Sequence, residues 1–215
     1  EELSNRSFKF GEGKLVNITS KKVWIQRLSY VGELGFEIYA NIKDANEIYE
    51  AIVEEGKNYN LSLCGSYAMD TMRMESGFLH WGHDISPEEN QYEAGLNFAI
   101  SYKKKINFIG KESLLKIKEI KEKKRFVMLS LKENKPGKPL LLHEEPIYLE
   151  DKIIGRTTSG NYSFNYQKNL SFGYIKSHLS NEELLNQKIY IEVAKKKYQA
   201  NIEIYALKDK EIRYS

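Results

Sequence analysis

Two apolar runs joined by a short glycine-containing connection stand out in the N-terminal part of the chain. Residues 23–30 and 36–40 alternate between apolar and polar positions, and two glycines three residues apart lie between them. Glycine is favoured where φ must be positive or where a ligand approaches the backbone, so the pattern predicts two strands and a tight connection. Glu33 then lies in the connection, and Glu37 opens the second strand.

Helical periodicity follows in two segments. Apolar residues recur at intervals of three and four between residues 43 and 55, which predicts an amphipathic helix. A second helix is predicted for residues 66–76, with a glycine before it and another after it. The second helix carries many charges, and its Arg73 can either form an ion pair within the helix or contact a ligand.

The segments around these helices give weaker signals. Residues 1–20 show no clear period and predict an irregular start, whereas the apolar run 96–100 predicts a buried strand. Gly110 precedes a further predicted helix whose apolar face contains Leu114, Ile117 and Ile120.

The pattern changes to short strands and turns in the C-terminal part. The predicted strands are residues 126–131, 147–149, 153–155, 171–175, 189–193 and 198–205. Short strands at this spacing are typical of a small antiparallel barrel or sandwich. Because the charged stretch 121–125 separates the two patterns, we place a domain boundary near residue 122, between a domain 1–122 and a domain 123–215.

Composition and charge narrow the class of protein. The chain of 215 residues is 41% hydrophobic and 29% charged, as in a folded globular protein. Its 33 basic and 30 acidic residues leave a net charge of +3, and the short basic runs 103–105, 121–125 and 195–197 are typical of solvated surfaces. We therefore expect no nucleic-acid partner. Without an apolar run of about 18 residues or a signal-peptide pattern, we also expect no membrane partner.

The single cysteine and the histidines bear on two further properties, disulfide formation and metal binding. Cys64 has no partner for an internal disulfide, which favours a reducing, cytoplasmic location and a role as a small core residue. His80, His83 and Asp84 are close in sequence, but a zinc site needs three or four converging ligands. Since His143 and His178 show no pairing pattern, we predict no metal site and read this segment as a loop whose Trp81 faces a cleft.

The glycine-containing connection also suits one kind of chemistry. Adjacent strands can hold a carboxylate and an aromatic ring rigidly beside one cleft. The carboxylate accepts two parallel hydrogen bonds from a fork of N–H donors, while the ring packs against a flat ligand. An ordinary hairpin with an exposed acid has the same pattern, so the connection by itself leaves both readings open.

Several motifs in order make the pattern more specific. They occupy residues 27–39, 68–77, 81–84, 93–96, 108–114 and 155–160, the first containing Ser-Tyr-Val-Gly-Glu-Leu-Gly-Phe-Glu and the last reading Gly-Arg-Thr-Thr-Ser-Gly. With these motifs the chain resembles the folate-binding aminomethyltransferase family of the glycine-cleavage T-protein. It looks most similar to the C-terminal half of dimethylglycine and sarcosine dehydrogenases.

The resemblance implies an α+β fold, in which a partial folate-binding aminomethyltransferase domain is followed by a small antiparallel β-barrel. Family members carry a long stretch before this region, so we expect the chain to be truncated at its N-terminus or to be one piece of a longer product. The family's catalytic aspartate lies in that upstream stretch, and we therefore assign no catalytic residue here. FAD is expected only in a missing N-terminal flavin domain, in the same chain or in a partner chain.

Four residues match folate-binding positions of the family. Glu37 matches the acid that reads the 2-amino and N3–H donors of the pterin, and Tyr30 matches the aromatic residue beside the pterin. Arg73 and Trp81 match positions near the folate. Met69 stands where the T-protein itself has arginine, which favours the dehydrogenase branch. Residues 159–160 lie in the barrel's signature turn, where we expect packing against the folate domain.

The function that the resemblance implies is tetrahydrofolate binding within a flavin-dependent enzyme that demethylates sarcosine or dimethylglycine. Its partners are then the folate and the methylated amine. Three alternatives remain: a glycine-cleavage aminomethyltransferase, a folate-binding protein that supports iron–sulfur maintenance, and a β-rich interaction module without a ligand. The iron–sulfur alternative calls for a cysteine-containing motif near residues 140–146, which the sequence lacks.

Overall fold

The computed structural model describes residues 3–120, 124–133, 135–176, 179–203 and 206–207. These residues form two compact units, the first extending to Ser76 and the second spanning Gly77–Leu207. The domain boundary predicted near residue 122 lies outside the described residues and stays a prediction. Across the described ranges, no helix has both the length and the apolar character needed to cross a bilayer.

The first unit is built on a three-stranded antiparallel sheet. Its strands are β1 (Gly13–Ile18), β2 (Lys21–Gln26) and β3 (Glu37–Tyr39), in the order β1-β2-β3. One face of the sheet packs into a core that contains Phe8, Val16, Val23, Ile25 and Ile48. The predicted pairing of two strands across the glycine-containing connection is confirmed, with Gln26 opposite Glu37.

The prediction of an irregular start was wrong for β1. Leu15 and Val16 are adjacent, so they point to opposite faces of the sheet, and only Val16 is buried. A strand with apolar side chains on both faces lacks the alternation by which a half-buried strand is recognised.

Two helices complete the first unit, as predicted. They are α1 (Ala45–Gly56), which places Ile48 in the core, and α2 (Ser66–Glu75). The prediction that Cys64 is a core residue was wrong. It lies exposed in the loop before α2, next to the exposed Leu63, because this loop does not pack against the sheet's core cluster.

The second unit begins with loops and one helix, α3 (Lys111–Glu119), which the spacing after Gly110 predicted. The buried strand predicted for residues 96–100 was wrong. Asn97–Ala99 form a turn of 3-10 helix, and Phe98 is 82% exposed. A short apolar run becomes a strand only where another strand pairs with it, and within the described ranges this run has no such partner.

The rest of the second unit is a closed antiparallel barrel, which confirms the predicted architecture. Its six strands follow the order β4-β7-β6-β5-β8-β9. They are β4 (Arg125–Leu131), β5 (Pro146–Leu149), β6 (Lys152–Ser163), β7 (Lys168–Ile175), β8 (Ile189–Val193) and β9 (Lys196–Glu203). Strand β6 is much longer than predicted, and residues 204–205 of the last predicted strand lie outside the described residues.

A short helix closes the barrel core. Helix α4 (Asn181–Leu185) begins with a capping box, in which Ser180 and Glu183 exchange hydrogen bonds between side chain and backbone. Its Leu184 is buried among the apolar residues of the barrel strands.

Glu89 connects the loop region of the second unit to the start of the barrel through an ion pair with Lys124, the residue before β4. Its carboxylate forms an ion pair with Lys124 and accepts a hydrogen bond from the Ser86 hydroxyl at 2.7 Å. Burial by itself raises the pKa of Glu89, but the hydrogen bonds from Lys124 and Ser86 outweigh burial and hold the pKa below its ordinary value. The ionised form is therefore the one that stabilises the fold.

Glu89→Gln should destabilise the protein in a pH-dependent way. Because the folded-state pKa is lowered, the stabilisation is present above the pKa of the unfolded chain and is lost as the pH falls through the folded-state pKa. We expect a loss of about 1.5–3 kcal/mol at pH 7, and a loss that becomes smaller as the pH falls below 4.5, the ordinary pKa of a glutamate carboxyl. Urea titrations of both proteins at pH 7 and at a series of lower pH values measure this change. A loss that does not depend on pH would contradict the assignment.

Candidate functional site

Glu37 opens β3, as the sequence predicted. Its partner across the sheet is Gln26 of β2, and its exposed side chain accepts a hydrogen bond from the hydroxyl of Tyr39. Phe36, one position earlier, packs against Phe8 on the core side, with the ring centroids 5.6 Å apart. The neighbouring acid Glu33 lies in the connection, where its backbone N–H donates to the Ser29 hydroxyl at 3.2 Å.

The sheet face that carries Glu37 exposes a row of apolar side chains within the described part of the first unit. Leu15, Trp24 and Tyr39 lie side by side across the three strands, and all three are exposed. A Cβ atom on Gly13 would lie 2.1 Å from the Trp24 ring, so the indole lies across this glycine. We call Gly13, Leu15, Trp24, Tyr39 and Glu37 the open sheet face.

The chemistry of the open sheet face suits a flat heterocycle with N–H donors on its edge. Aromatic side chains supply apolar surface for the ring, and a carboxylate accepts from paired donors. Sequence reasoning missed Trp24 and Tyr39, although the alternation along β2 already placed Trp24 opposite to the core residues Val23 and Ile25. The position of Tyr39 beside Trp24 follows only from the register.

The Tyr39 hydroxyl orients the Glu37 carboxylate. Hydrogen bonding to Glu37 raises the pKa of Tyr39, because the ionised phenol would lose this bond and face a second negative charge. A phenol of ordinary pKa is already protonated at neutral pH, and the raised pKa extends to higher pH the range in which Tyr39 donates to Glu37. This leaves the remaining lone pairs of the carboxylate for a ligand.

Tyr39→Phe should weaken ligand binding at Glu37 without removing it. The variant keeps the aromatic ring and deletes one neutral donor, which contributes about 0.5–1.5 kcal/mol. We expect the affinity for the folate that the sequence resemblance implies to fall by roughly three- to tenfold. Titration of both proteins at pH 7 measures the change. Because Tyr49 is exposed on α1, outside the open sheet face, Tyr49→Phe serves as the matched control.

Tyr30 lies half-buried in the connection between β2 and β3. This connection contains Gly32 with φ of +69°, a left-handed conformation that favours glycine. The carbonyl of Val31 accepts a hydrogen bond from the Ser76 hydroxyl at 3.2 Å, which ties the connection to the end of α2. Tyr30 and Glu37 thus flank one connection in the first unit.

Arg73 is buried in α2, where its side chain is 1% exposed. Its Nε and Nη2 atoms each lie 2.8 Å from Oδ1 of Asp70, one helical turn earlier. This geometry favours the ion-pair alternative, because a buried guanidinium needs a nearby anion. A folate contact for Arg73 stays a prediction. A shallow groove elsewhere in this unit, beside α1, contains none of these residues.

Trp81 belongs to the second unit, where it is 66% exposed. It lies in a tight loop with Gly82 at φ of +89° and forms a bridge with Ile85. The rings of His80 and His83 are 4.6 Å apart in the same loop. In the ranges that the structure describes, no three His, Cys, Asp or Glu side chains are grouped so as to hold a metal ion.

The sequence motif in β6 contacts this loop. The Ser159 hydroxyl donates to the Asp84 carboxylate at 2.7 Å, within the second unit. Gly160 lies against Leu141, since a Cβ atom there would approach Leu141 to 2.5 Å. The prediction of a turn at residues 159–160 was wrong, because both residues pair with β7 inside strand β6. Their packing against the folate domain stays a prediction.

A sheet-and-helix unit followed by a closed six-stranded barrel defines an aminomethyltransferase fold, and sequence comparison agrees. Residues 1–104 match the family model described as GCVT N-terminal domain, and residues 124–204 match the glycine cleavage T-protein C-terminal barrel domain. The chain belongs to the glycine cleavage T-protein family.

Curated relatives of the chain include a dehydrogenase, an aminomethyltransferase and an oxidase. The chain is 36% identical to mouse mitochondrial dimethylglycine dehydrogenase over 94% of its own length and 23% of the relative's. It is 37% identical to the aminomethyltransferase of Listeria welshimeri, over 94% of the chain and 52% of that protein. It is also 37% identical to a formaldehyde-forming 4-methylaminobutanoate oxidase of Paenarthrobacter nicotinovorans, over 75% of the chain and 19% of the relative.

A solved structure confirms the fold. The aminomethyltransferase T of the glycine cleavage system from Bartonella henselae matches 94% of this chain with a TM-score of 0.77, at 22% identity. The match takes in 53% of that structure. The chain thus spans about half the length of these aminomethyltransferases and about a quarter of dimethylglycine dehydrogenase.

Proposed function

We propose that this chain is the tetrahydrofolate-binding portion of a flavin-dependent demethylating dehydrogenase that acts on sarcosine or dimethylglycine. The observation that carries the folate part is the Glu37 carboxylate, held by Tyr39 beside the Trp24 ring on the open sheet face. The similarity to dimethylglycine dehydrogenase and the methionine at position 69 support the dehydrogenase part.

The residues present fit a pterin. Its 2-amino and N3–H groups form a pair of donors, and the exposed carboxylate of Glu37 is an acceptor with two oxygens. The flat ring needs apolar surface, which Trp24 and Tyr30 would provide, and Arg73 and Trp81 are further proposed contacts. When bound, tetrahydrofolate supplies the amine that accepts a one-carbon unit.

The proposal divides the reaction between two domains. A flavin domain, in the same polypeptide or in a partner, would oxidise the methylated amine, and FAD would bind there. This chain's residues would bind and orient the folate, and we assign none of them a catalytic role. The single cysteine, Cys64, leads us to place the protein in the cytoplasm.

Tetrahydrofolate titration of the 215-residue chain tests the folate part. Binding next to Trp24 should quench tryptophan fluorescence in a saturable way, and folic acid should compete because it shares the pterin. The control is p-aminobenzoylglutamate, which lacks the pterin and should not compete. Absence of saturable binding, or equal competition by the control compound, would contradict pterin recognition by this chain.

A glycine-cleavage aminomethyltransferase is the second candidate. It is favoured by the Listeria welshimeri relative, of which this chain covers 52%, compared with 23% of dimethylglycine dehydrogenase. An assay of the natural gene product distinguishes the two. Oxidation of sarcosine or dimethylglycine with an artificial electron acceptor supports the dehydrogenase. Transfer of the carbon of a carrier-bound aminomethyl group to tetrahydrofolate, with release of ammonia and without an electron acceptor, supports the aminomethyltransferase.

A further inference from the structure

A short loop in the second unit exposes basic and apolar side chains together. Its residues 103–109 have the sequence Lys-Lys-Lys-Ile-Asn-Phe-Ile, and all three lysines are exposed. Ile106 is 81% exposed, and Ile109 is fully exposed. Such isoleucines are unfavourable in water, because their apolar surface stays hydrated. We call residues 103–109 the basic loop.

Both ends of the basic loop are held by hydrogen bonds. Before it, the Tyr102 hydroxyl is bonded to the Tyr92 hydroxyl, and the ammonium of Lys118 lies 5.6 Å from the centre of the Tyr102 ring. After it, Gly110 has φ of +88°, and its carbonyl accepts the Leu114 N–H at 2.9 Å where α3 begins. Because the ends are held and the side chains between them are exposed, the basic loop can contact a surface without unfolding its neighbours.

The charge of this region is one-sided. Residues 94–111 contain four lysines and neither aspartate nor glutamate, and the first acid beyond them is Glu112. Within the described part of the chain, no carboxylate forms an ion pair with Lys103, Lys104 or Lys105. A negatively charged partner would therefore complement the basic loop without displacing an internal ion pair.

The types of side chain favour a lipid surface over a nucleic acid or an acidic protein. Residues 94–111 contain no arginine, the side chain that matches nucleic-acid phosphates and is enriched at protein interfaces, where lysine is depleted. Lysine suits a membrane surface, because its long stem keeps the ammonium among the head groups while neighbouring apolar side chains enter the acyl boundary.

We propose that the basic loop binds peripherally to an anionic lipid surface. Ile106 and Ile109 enter the boundary between head groups and acyl chains, and the three lysines contact the anionic head groups. The negative surface potential attracts the lysines, whereas salt does not screen the burial of the isoleucines. The expectation of no membrane partner rests on the lack of a spanning segment and a signal peptide, and peripheral binding requires neither.

Co-sedimentation of the 215-residue chain with lipid vesicles tests the basic loop. We expect binding to vesicles of equal parts phosphatidylcholine and phosphatidylserine, and no binding to phosphatidylcholine alone. Each lysine beside an anionic surface contributes a factor of about five, so Lys103→Gln/Lys104→Gln/Lys105→Gln should weaken binding by about a hundredfold. Ile106→Ser/Ile109→Ser, which leaves the charge unchanged, should weaken binding by about tenfold or more.

Lys195→Gln/Lys196→Gln/Lys197→Gln is the matched control. It alters a second exposed run of three lysines, between β8 and β9, where the neighbouring Val193 and Tyr198 are half-buried. Loss of three lysines lowers the net charge of the chain from +3 to zero in both triple variants. The control should bind vesicles nearly as well as the unchanged chain. Equal losses in the two triple variants would overturn the assignment to the basic loop.

A tryptophan placed in the basic loop reports insertion directly. The chain has two tryptophans, so Ile106→Trp in a Trp24→Phe/Trp81→Phe background leaves a single indole. Its emission should shift to shorter wavelength when anionic vesicles are added, because the indole leaves water. Unchanged emission of protein that sediments with vesicles would overturn the insertion of position 106.

Other occupants of the basic loop give different results. Self-association without lipid, lost in the lysine and isoleucine variants and accompanied by no vesicle binding, would overturn the lipid proposal in favour of a second copy of the chain. Sedimentation velocity measures it. Vesicle binding by the 215-residue chain but not by the natural gene product would also overturn it, since further polypeptide would then cover the loop. None of these outcomes depends on folate binding.

Discussion

Glu37→Gln should lower the affinity for tetrahydrofolate by roughly ten- to a hundredfold, while the melting temperature changes little. The variant keeps the size of the side chain but replaces one acceptor oxygen with a donor that faces a pterin donor. A charge-assisted hydrogen bond contributes about 1.5–3 kcal/mol, and each 1.4 kcal/mol corresponds to a factor of ten in affinity. Stability should be nearly unaffected because Glu37 is exposed at the start of β3.

Fluorescence titration measures this loss, and Glu33→Gln is its matched control. Both acids are exposed in the same part of the chain, but Glu33 lies in the connection rather than on the open sheet face. Its loss should therefore be much smaller. Equal affinities of Glu37→Gln and the unchanged chain would remove the pterin-reading role from Glu37, and a larger loss at Glu33 would transfer that role to Glu33.

Gly155→Ala should unfold the barrel more readily than any other exchange described above. Gly155 lies in β6, and a Cβ atom there would be 1.9 Å from the carbonyl oxygen of Tyr174 and 2.9 Å from Cα of Ile175. Both atoms belong to the backbone of β7, so a rotamer change cannot relieve the overlap and the two strands must separate. We expect a loss of about 3 kcal/mol.

Urea unfolding measures the loss, and Gly65→Ala is a suitable control. Gly65 precedes α2 with φ of −88°, and a Cβ atom there would meet no atom within 4 Å. Its replacement should cost no more than about 1 kcal/mol, since alanine is only a weaker helix cap. If the Gly155→Ala and Gly65→Ala variants are equally stable, the close contact between β6 and β7 does not exclude a side chain at position 155, and the prediction is wrong.

The β6 motif shows how far sequence reasoning extends. Gly155, Thr158, Ser159 and Gly160 are visible as a motif in the sequence, and the barrel around them was predicted from strand spacing. The structural role of each residue could not be predicted, because each contacts a residue that is distant in sequence. Gly155 lies against Tyr174, the hydroxyls of Thr158 and Ser159 donate to Asp84, and Gly160 lies against Leu141. The alternation of apolar and polar residues along a strand predicts which face is buried. The residues that this face contacts depend on the tertiary structure.

The candidate site shows the same limit. That Glu37 opens a strand followed from the glycines and the apolar alternation, both local signals. Tyr39 was missed because its relation to Glu37 and Trp24 depends on strand register, and residues 96–100 were assigned wrongly because a strand requires a pairing partner. The sequence could not decide whether Arg73 forms an ion pair within its helix or contacts a ligand. The burial of Arg73 beside Asp70, which favours the ion pair, is visible only in the structure.

The two sheets differ in how they end. The barrel closes on itself, so each of its six strands has two neighbours, whereas in the described three-stranded sheet β1 and β3 each have one. Outer strands present backbone N–H and C=O groups that can template addition of a foreign strand, and exposed apolar side chains such as Leu15 on β1 increase that tendency. In concentrated solutions of this chain, intermolecular aggregation should therefore begin at the first unit, while the barrel stays intact.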